Sequence, residues 1–184
     1  EVVITLSRAG YVKRTPVDAF RTQRRGGRGV RGAEMKEDDL VSVLLTCSTH
    51  DTLLFFTNRG RVFRIKAYQV PEKQRSAKGV YVANVPGLAL EADEQVARVL
   101  PLSAFDPDRF LVFATAQGTV KRTSLEAFDS ARSVLIALRL NEGDELIGVT
   151  ITGGDDDLIL VSRRGNAIRF HESDVRPMGR TAAG

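Results

Sequence analysis

Arginine recurs in this sequence at one spacing. Arg14, Arg64, Arg122 and Arg169 each stand four residues after a glycine (Gly10, Gly60, Gly118, Gly165), and Ser7, Thr57, Thr115 or Ser162 stands three residues before it. A guanidinium is a planar fork of N–H donors that pairs bidentately with phosphate oxygens. The densest stretch with that chemistry is Gln23-Arg24-Arg25-Gly26-Gly27-Arg28-Gly29, continued by Val30-Arg31-Gly32. Its glycines let the backbone come close to a ligand and lend amide donors, while Gln and Arg reach around it. The implied ligand is phosphate. A repeat that carries a cation at a fixed place builds a row of cations, so Lys13, Arg14, Arg31, Arg64, Arg75, Lys78, Lys121, Arg122, Arg169 and Arg180 are candidate contacts along one polyanion.

Other chemistries find less support. Gly27-x-Gly29-x-x-Gly32 with Asp51 matches a dinucleotide fingerprint, but only the largely acidic residues 33–39 separate it from the next strand, which leaves no room for a crossover helix. The P-loop fails because Ala33-Glu34 follows the second glycine where Lys and Ser or Thr are required. His50 and His171, the two histidines, have no partner at metal-ligand spacing, and the turn Asp155-Asp156-Asp157 lacks the alternating ligands, glycine and distal Glu of a calcium loop. No metal site and no nucleophile with its base is expected. The single cysteine, Cys47, sits in an apolar run and reads as a buried thiol suited to a reducing cytoplasm.

The 184 residues hold 27 Lys and Arg against 23 Asp and Glu, a net charge of only +4, so distribution matters more than total. Residues 8–31 and 59–79 are strongly basic, whereas acids gather at 34–39, 91–94, 142–145 and 155–157. If the repeats stack in register, cations share one rim and acidic loops another, a dipolar surface suited to a polyanion. An apolar content of 42% suffices for a core, and no run approaches the roughly 18 apolar residues of a membrane span. A folded, unexported domain is expected.

The elements that must hold these cations are strands. Residues 1–6, 52–57, 109–115 and 157–162 are short apolar runs ending in a polar turn with glycine, and alternation follows, as in Val62-Phe63-Arg64-Ile65. Each is a hairpin with glycine where the turn requires positive φ. A second strand pair reads as 29–33 with 40–47, 79–85 with 96–102, and 136–140 with 146–151, each joined by an acidic turn. The register extends further: an apolar residue lies ten positions beyond each glycine (Phe20, Val70, Phe128, Val175), and Gly29, Gly79, Ala137 or Gly184 lies nineteen beyond. Intervals of about 50 residues mark propeller or solenoid repeats. The expected fold is all-β and propeller-like, with four-stranded antiparallel blades at 1–50, 51–106 and 107–152 and part of a fourth at 153–184.

The box at Gln23 to Gly29, the flanking Lys13-Arg14-Thr15-Pro16 and Phe20-Arg21-Thr22, the segment Phe55-Phe56-Thr57-Asn58-Arg59-Gly60-Arg61-Val62, and Arg176-Pro177-Met178-Gly179-Arg180-Thr181 together resemble the carboxy-terminal domain of the bacterial DNA gyrase A subunit. The resemblance spans the chain, and its most specific element is the complete seven-residue box, which the related topoisomerase IV subunit lacks or carries in degenerate form. It implies a β-pinwheel, usually of about six blades that exchange strands with their neighbours, so this chain is expected to be a piece of a larger array. It further implies wrapping of double-stranded DNA in support of ATP-dependent negative supercoiling. The implied partners are the gyrase B subunit, together with the rest of the gyrase A subunit, in an A2B2 enzyme of the bacterial cytoplasm and nucleoid. The isolated domain is expected to be monomeric. The catalytic tyrosine, ATP and Mg2+ are expected elsewhere in that enzyme, with no cofactor on this chain, and Tyr11, Tyr68 and Tyr81 are not candidate nucleophiles. A topoisomerase IV domain and a protein-binding propeller are the alternatives.

Overall fold

One local turn is built four times. In a computed structural model, which describes residues 1–20 and 39–184, Gly10, Gly60, Gly118 and Gly165 have φ of 89, 77, 89 and 84°. A Cβ disfavours that region. Each glycine amide donates to the carbonyl three residues back at 2.9–3.0 Å. The Ser or Thr hydroxyl then accepts from the amide that follows the glycine: Tyr11 to Ser7 (3.2 Å), Arg61 to Thr57 (3.3 Å), Thr119 to Thr115 and Asn166 to Ser162 (both 3.1 Å). The motif therefore specifies a tight hairpin from residues within five positions of one another.

Thirteen strands run in chain order among the described residues: β1 (Val2–Ser7), β2 (Tyr11–Pro16), β3 (Val41–Cys47), β4 (Thr52–Thr57), β5 (Arg61–Lys66), β6 (Val80–Tyr81), β7 (Val96–Leu102), β8 (Phe110–Thr115), β9 (Val120–Ser124), β10 (Val134–Ile136), β11 (Leu146–Thr152), β12 (Asp157–Val161) and β13 (Ala167–His171). The helical segments there are 3-10 turns of three or four residues, and none crosses a membrane. The repeated turn closes the antiparallel hairpins, with Leu6 opposite Val12 in the first, Leu111 opposite Thr123 in the third and Ile159 opposite Arg169 in the fourth.

The outer strands depart from the sequence expectation. Residues 29–33 lie outside the described residues. The other two expected pairs do not pair with each other, because the sheets are ordered β3-β1-β2-β6, β10-β5-β4-β7, β11-β8-β9 and β12-β13. β7 and β11 lie on the first hairpin strand of their own repeat, whereas β6 and β10 close the hairpin of the repeat before. The position nineteen beyond the anchor glycine explains the exchange. Gly79, at φ 99°, runs so close to β2 that a Cβ there would lie 2.6 Å from the Val12 carbonyl oxygen, and Gly184 approaches Val120 O in the same way. The carbonyl of Gly10 then accepts from Val82, and that of Gly60 from Ala137, both at 2.8 Å. The fold is an all-β pinwheel.

Two compact units divide the chain: Glu1–Phe55 with Phe63–Ala104, and Phe56–Val62 with Phe105–Gly184. β1 and β4 are buried along their whole length, which is why they are continuous apolar runs. Ile4, Leu53, Leu54 and Leu88 fill the first unit, and the rings of Phe56, Phe113 and Phe128 meet in the second with centroids 5.6–6.2 Å apart. Each such ring contributes about 1.5–3 kcal/mol by burial. Cys47 is buried at the end of β3, where burial and then Asp51 push its thiol up from the usual range.

Candidate nucleic-acid interface

Two of the four recurring arginines are stitches between successive repeats. Arg14, on β2, donates from Nε to the Val70 carbonyl at 3.0 Å and from Nη1 to Glu72 at 2.8 Å. Arg122, on β9, repeats the carbonyl contact with Val175 O at 2.9 Å but finds its carboxylate at a different place in the repeat, Glu172 at 3.2 Å, and its guanidinium lies 4.4 Å from the Phe110 ring centroid. Val70 and Val175 are the residues ten beyond the next glycine, so the apolar register marks the segment that each arginine grips. The Arg14 and Arg122 side chains are only 15% and 8% exposed. Arg64 on β5 is half-buried, while Arg169 on β13 is exposed and pairs with Asp157. An open row of four equivalent cations is therefore not what the repeat builds.

Lys13 and Lys121 depart furthest from the rim expected of them. Each stands three residues after its glycine, and they are 1% and 0% exposed. Lys13 Nζ donates to the carbonyls of Gln74 (3.5 Å), Arg75 and Ala77 (2.7 Å). Lys121 Nζ donates to those of Ala137 (2.6 Å), Arg180 (2.6 Å) and Ala182 (3.2 Å). A buried ammonium survives only when its donors are matched in this way. Burial, with Arg75 beside Lys13 and Arg180 beside Lys121, lowers both from the usual lysine range, Lys121 to about 8. Neither is placed to serve as an outward contact.

Cations that reach solvent are spread over the described residues, with Lys66, Arg98, Arg109, Arg132 and Arg139 exposed, and one group of them lies between β5 and β6. Residues 73–79 read Lys-Gln-Arg-Ser-Ala-Lys-Gly, with Lys73 exposed and Arg75 and Lys78 half-buried. Lys78 Nζ lies 3.6 Å from the Tyr11 ring centroid. Arg75 reaches the Ala19 carbonyl at 3.4 Å from Nη1, and its buried Nε has no hydrogen-bond partner. In the second unit Arg176 is exposed and Arg180 half-buried, with Nη1 3.4 Å from Ile136 O. Sequence reasoning missed the hairpin tips, where Arg8, Arg59, Arg163 and Arg164 are exposed. Their position between the Ser or Thr and the glycine was the available signal. The box Gln23, Arg24, Arg25, Gly26, Gly27, Arg28, Gly29 and the neighbouring Arg31 lie outside the described residues.

The acidic clusters are not uniformly solvated loops. Asp39 accepts from the amides of Ala9 (3.0 Å) and Leu40 (2.9 Å), and Asp144 from those of Gln117 (2.9 Å) and Glu145 (2.8 Å), so each caps a repeated turn. The Ser7 hydroxyl leads the contacts that outweigh burial and hold Asp39 below the usual carboxylate range. For Asp144 burial pushes upward, but the Thr115 hydroxyl and the two amides outweigh it. Glu172 is fully buried and accepts from Thr152 Oγ1 (2.6 Å) and the Asp156 amide (2.9 Å) besides Arg122; these contacts overcome burial and lower it. Asp51, of the dinucleotide fingerprint, caps the β3–β4 turn through the Ser48 amide at 2.9 Å.

This repeat architecture is one already described in a family. The family described as the DNA gyrase C-terminal domain, beta-propeller, matches residues 1–48, 51–103, 109–152 and 156–184. The chain belongs to that family. It is 50% identical over 184 residues to the DNA gyrase A subunit of Halalkalibacterium halodurans and 48% identical over 187 residues to that of Mycolicibacterium smegmatis. All of this chain and 22% of each relative are covered, so it spans about a fifth of their length. Among solved structures, the C-terminal domain of DNA topoisomerase IV is 29% identical with a TM-score of 0.81, over all of this chain and 55% of that one. A DNA gyrase A C-terminal domain superposes with a TM-score of 0.75 at 24% identity, over all of this chain and 58% of that one, a likeness of fold. Within the gyrase domain family, the buried lysines and stitching arginines found here account for part of a basic composition that sequence alone assigns to a ligand.

Proposed function

We propose that this gyrase-family domain binds duplex DNA through its phosphates and wraps it, as the DNA-handling part of a type IIA topoisomerase. The observation that carries the reading is the grouping of cations in short loops, exposed Lys73 with half-buried Arg75 and Lys78 in one and exposed Arg176 with half-buried Arg180 in another, and the sequence adds a box of three arginines and three glycines. Point contacts to phosphates hold a duplex without reading its bases. Bending 20–30 base pairs by 40–90° costs on the order of 1–6 kcal/mol, so wrapping requires several such contacts along one path. In the whole enzyme this would bias strand passage toward negative supercoils, with the A and B subunits assembled as A2B2 in the bacterial nucleoid and ATP and Mg2+ used elsewhere. The complete box favours gyrase over topoisomerase IV.

Titrating a random-sequence duplex by fluorescence anisotropy at several salt concentrations tests binding. The affinity should fall with log salt at a slope of about −0.9 per phosphate neutralised, with little dependence on sequence. A flat response would sink the proposal. Ligating a nicked circle with and without the chain then reports wrapping as a change in linking number.

A further inference from the structure

We infer that Lys13 and Lys121 are positioning residues, each a buried ammonium that clamps the backbone of the cation-bearing loop of the following repeat so that its arginine is held ready for phosphate. The inference rests on the DNA-binding reading above and adds a mechanism to it. Two independent observations carry it.

The first is geometric. Arg75 and Arg180 each stand fifteen residues after their anchor glycine, and Ala77 and Ala182 seventeen. The carbonyls gripped by Lys13 belong to Arg75 and Ala77, together with Gln74, and those gripped by Lys121 to Arg180 and Ala182, together with Ala137. The same cage is thus built twice, once in each unit, and both times its walls are the peptide of the arginine itself and the peptide two residues on. An ammonium with three donors satisfies three acceptors, which a hydroxyl or a single amide N–H does not. The second observation is in the repeat pattern. Lys13 is followed in the next repeat by Arg75, Phe63 by Ser133, and Lys121 by Arg180. Lysine stands at the third position where the next repeat carries arginine at the fifteenth, and is replaced where it does not. Arg25 of the box occupies that fifteenth position in the first repeat.

A loop held only by its ends samples many conformations, and ordering it on binding costs affinity. A clamp at the arginine's own peptide removes that cost beforehand without contributing a phosphate contact. That separates a positioning lysine from a DNA-contacting one in an experiment. Lys13→Met and Arg75→Ala are compared with the parent chain by hydrogen exchange read on peptides and by anisotropy with a random 30-base-pair duplex across salt. Lys13→Met should speed exchange in residues 73–79 by about tenfold while β1 and β2 keep their protection. It should weaken binding several-fold with an unchanged salt slope, whereas Arg75→Ala should lower the slope by about 0.9. Unchanged exchange in 73–79 would overturn the clamp, and so would a slope that falls in Lys13→Met as it does in Arg75→Ala. Should Lys13→Met not fold, Lys13→Gln, which keeps two N–H donors in the cage, gives the same readouts in milder form. Failure of the parent chain to bind duplex would overturn the DNA reading instead, and exchange would then decide the clamp by itself.

Discussion

Glycine at the anchor positions answers to two demands that differ among repeats. Gly118 has positive φ in open space, so Gly118→Ala meets only the left-handed penalty, about 1–2 kcal/mol. Gly60 has the same φ region, but its Cβ would lie 2.6 Å from the Leu138 carbonyl oxygen, a backbone atom that cannot swing aside. Gly60→Ala should therefore lower the urea midpoint by clearly more than Gly118→Ala. Equal losses would show that the turn conformation alone matters. Lys121 supplies a pH test at the same scale. Its folded pKa, about 8, lies below the unfolded value of 10.5, so the unfolded chain holds more protons between them and this group's contribution to stability rises with pH across that window. Comparing Lys121→Met with the parent by urea unfolding at pH 7.5 and pH 10 should show the parent gaining on the variant at the higher pH. A pH-independent difference would mean that the ammonium is not as desolvated as its burial implies.

Between elements, polar groups buried at the joints hold the repeats in register. Glu172 is the densest of these joints, since one carboxylate accepts from Arg122, Thr152 Oγ1 and the Asp156 amide and so ties the 3-10 turn after β13 to β9 and β11. Glu172→Gln keeps the shape but strands the Arg122 charge, and breaking a buried pair in this way costs about 3 kcal/mol or more. Because the contacts lower the Glu172 pKa below 4.5, its stabilisation is complete above that value and is lost as pH falls through the folded pKa. The variant's unfolding free energy should thus be reduced at pH 7, and the gap to the parent should narrow toward pH 3. A gap that is constant with pH would assign the loss to packing instead.

For the molecule as a whole, the proposed DNA function predicts that affinity and wrapping are separable. Replacing Arg24, Arg25 and Arg28 with Ala removes the box cations but leaves the loops at 73–79 and 176–180 and the hairpin-tip arginines, so simple duplex affinity should weaken only partly. Wrapping requires the duplex to be held along a curved path while it stores bending energy. In the intact enzyme the triple substitution should therefore abolish negative supercoiling while relaxation of positive supercoils and decatenation survive. Normal supercoiling in a gel-based topology assay would refute a special role for the box.

The parts legible in the sequence were those whose causes are local. A Ser or Thr three residues before a glycine specifies a turn through bonds spanning four residues, and four copies of it disclosed the hairpins, the all-β class and the repeat. The box reads as phosphate chemistry because it is contiguous, and that reading stays an expectation, since the box lies outside the described residues. Strand exchange was not readable from periodicity, since β6 and β10 are short apolar segments that would suit a hairpin with their sequence neighbours equally well; only the resemblance to a known family anticipated it. The fate of the cations was decided by tertiary structure alone. Lys13 and Lys121 find their carbonyls as far as 64 and 61 residues away, and Arg14 and Arg122 find their carboxylates 58 and 50 residues away. A lysine or arginine on a strand reads as solvent-facing unless its partner is known, and here the partners arrive only when the next repeat closes on the last.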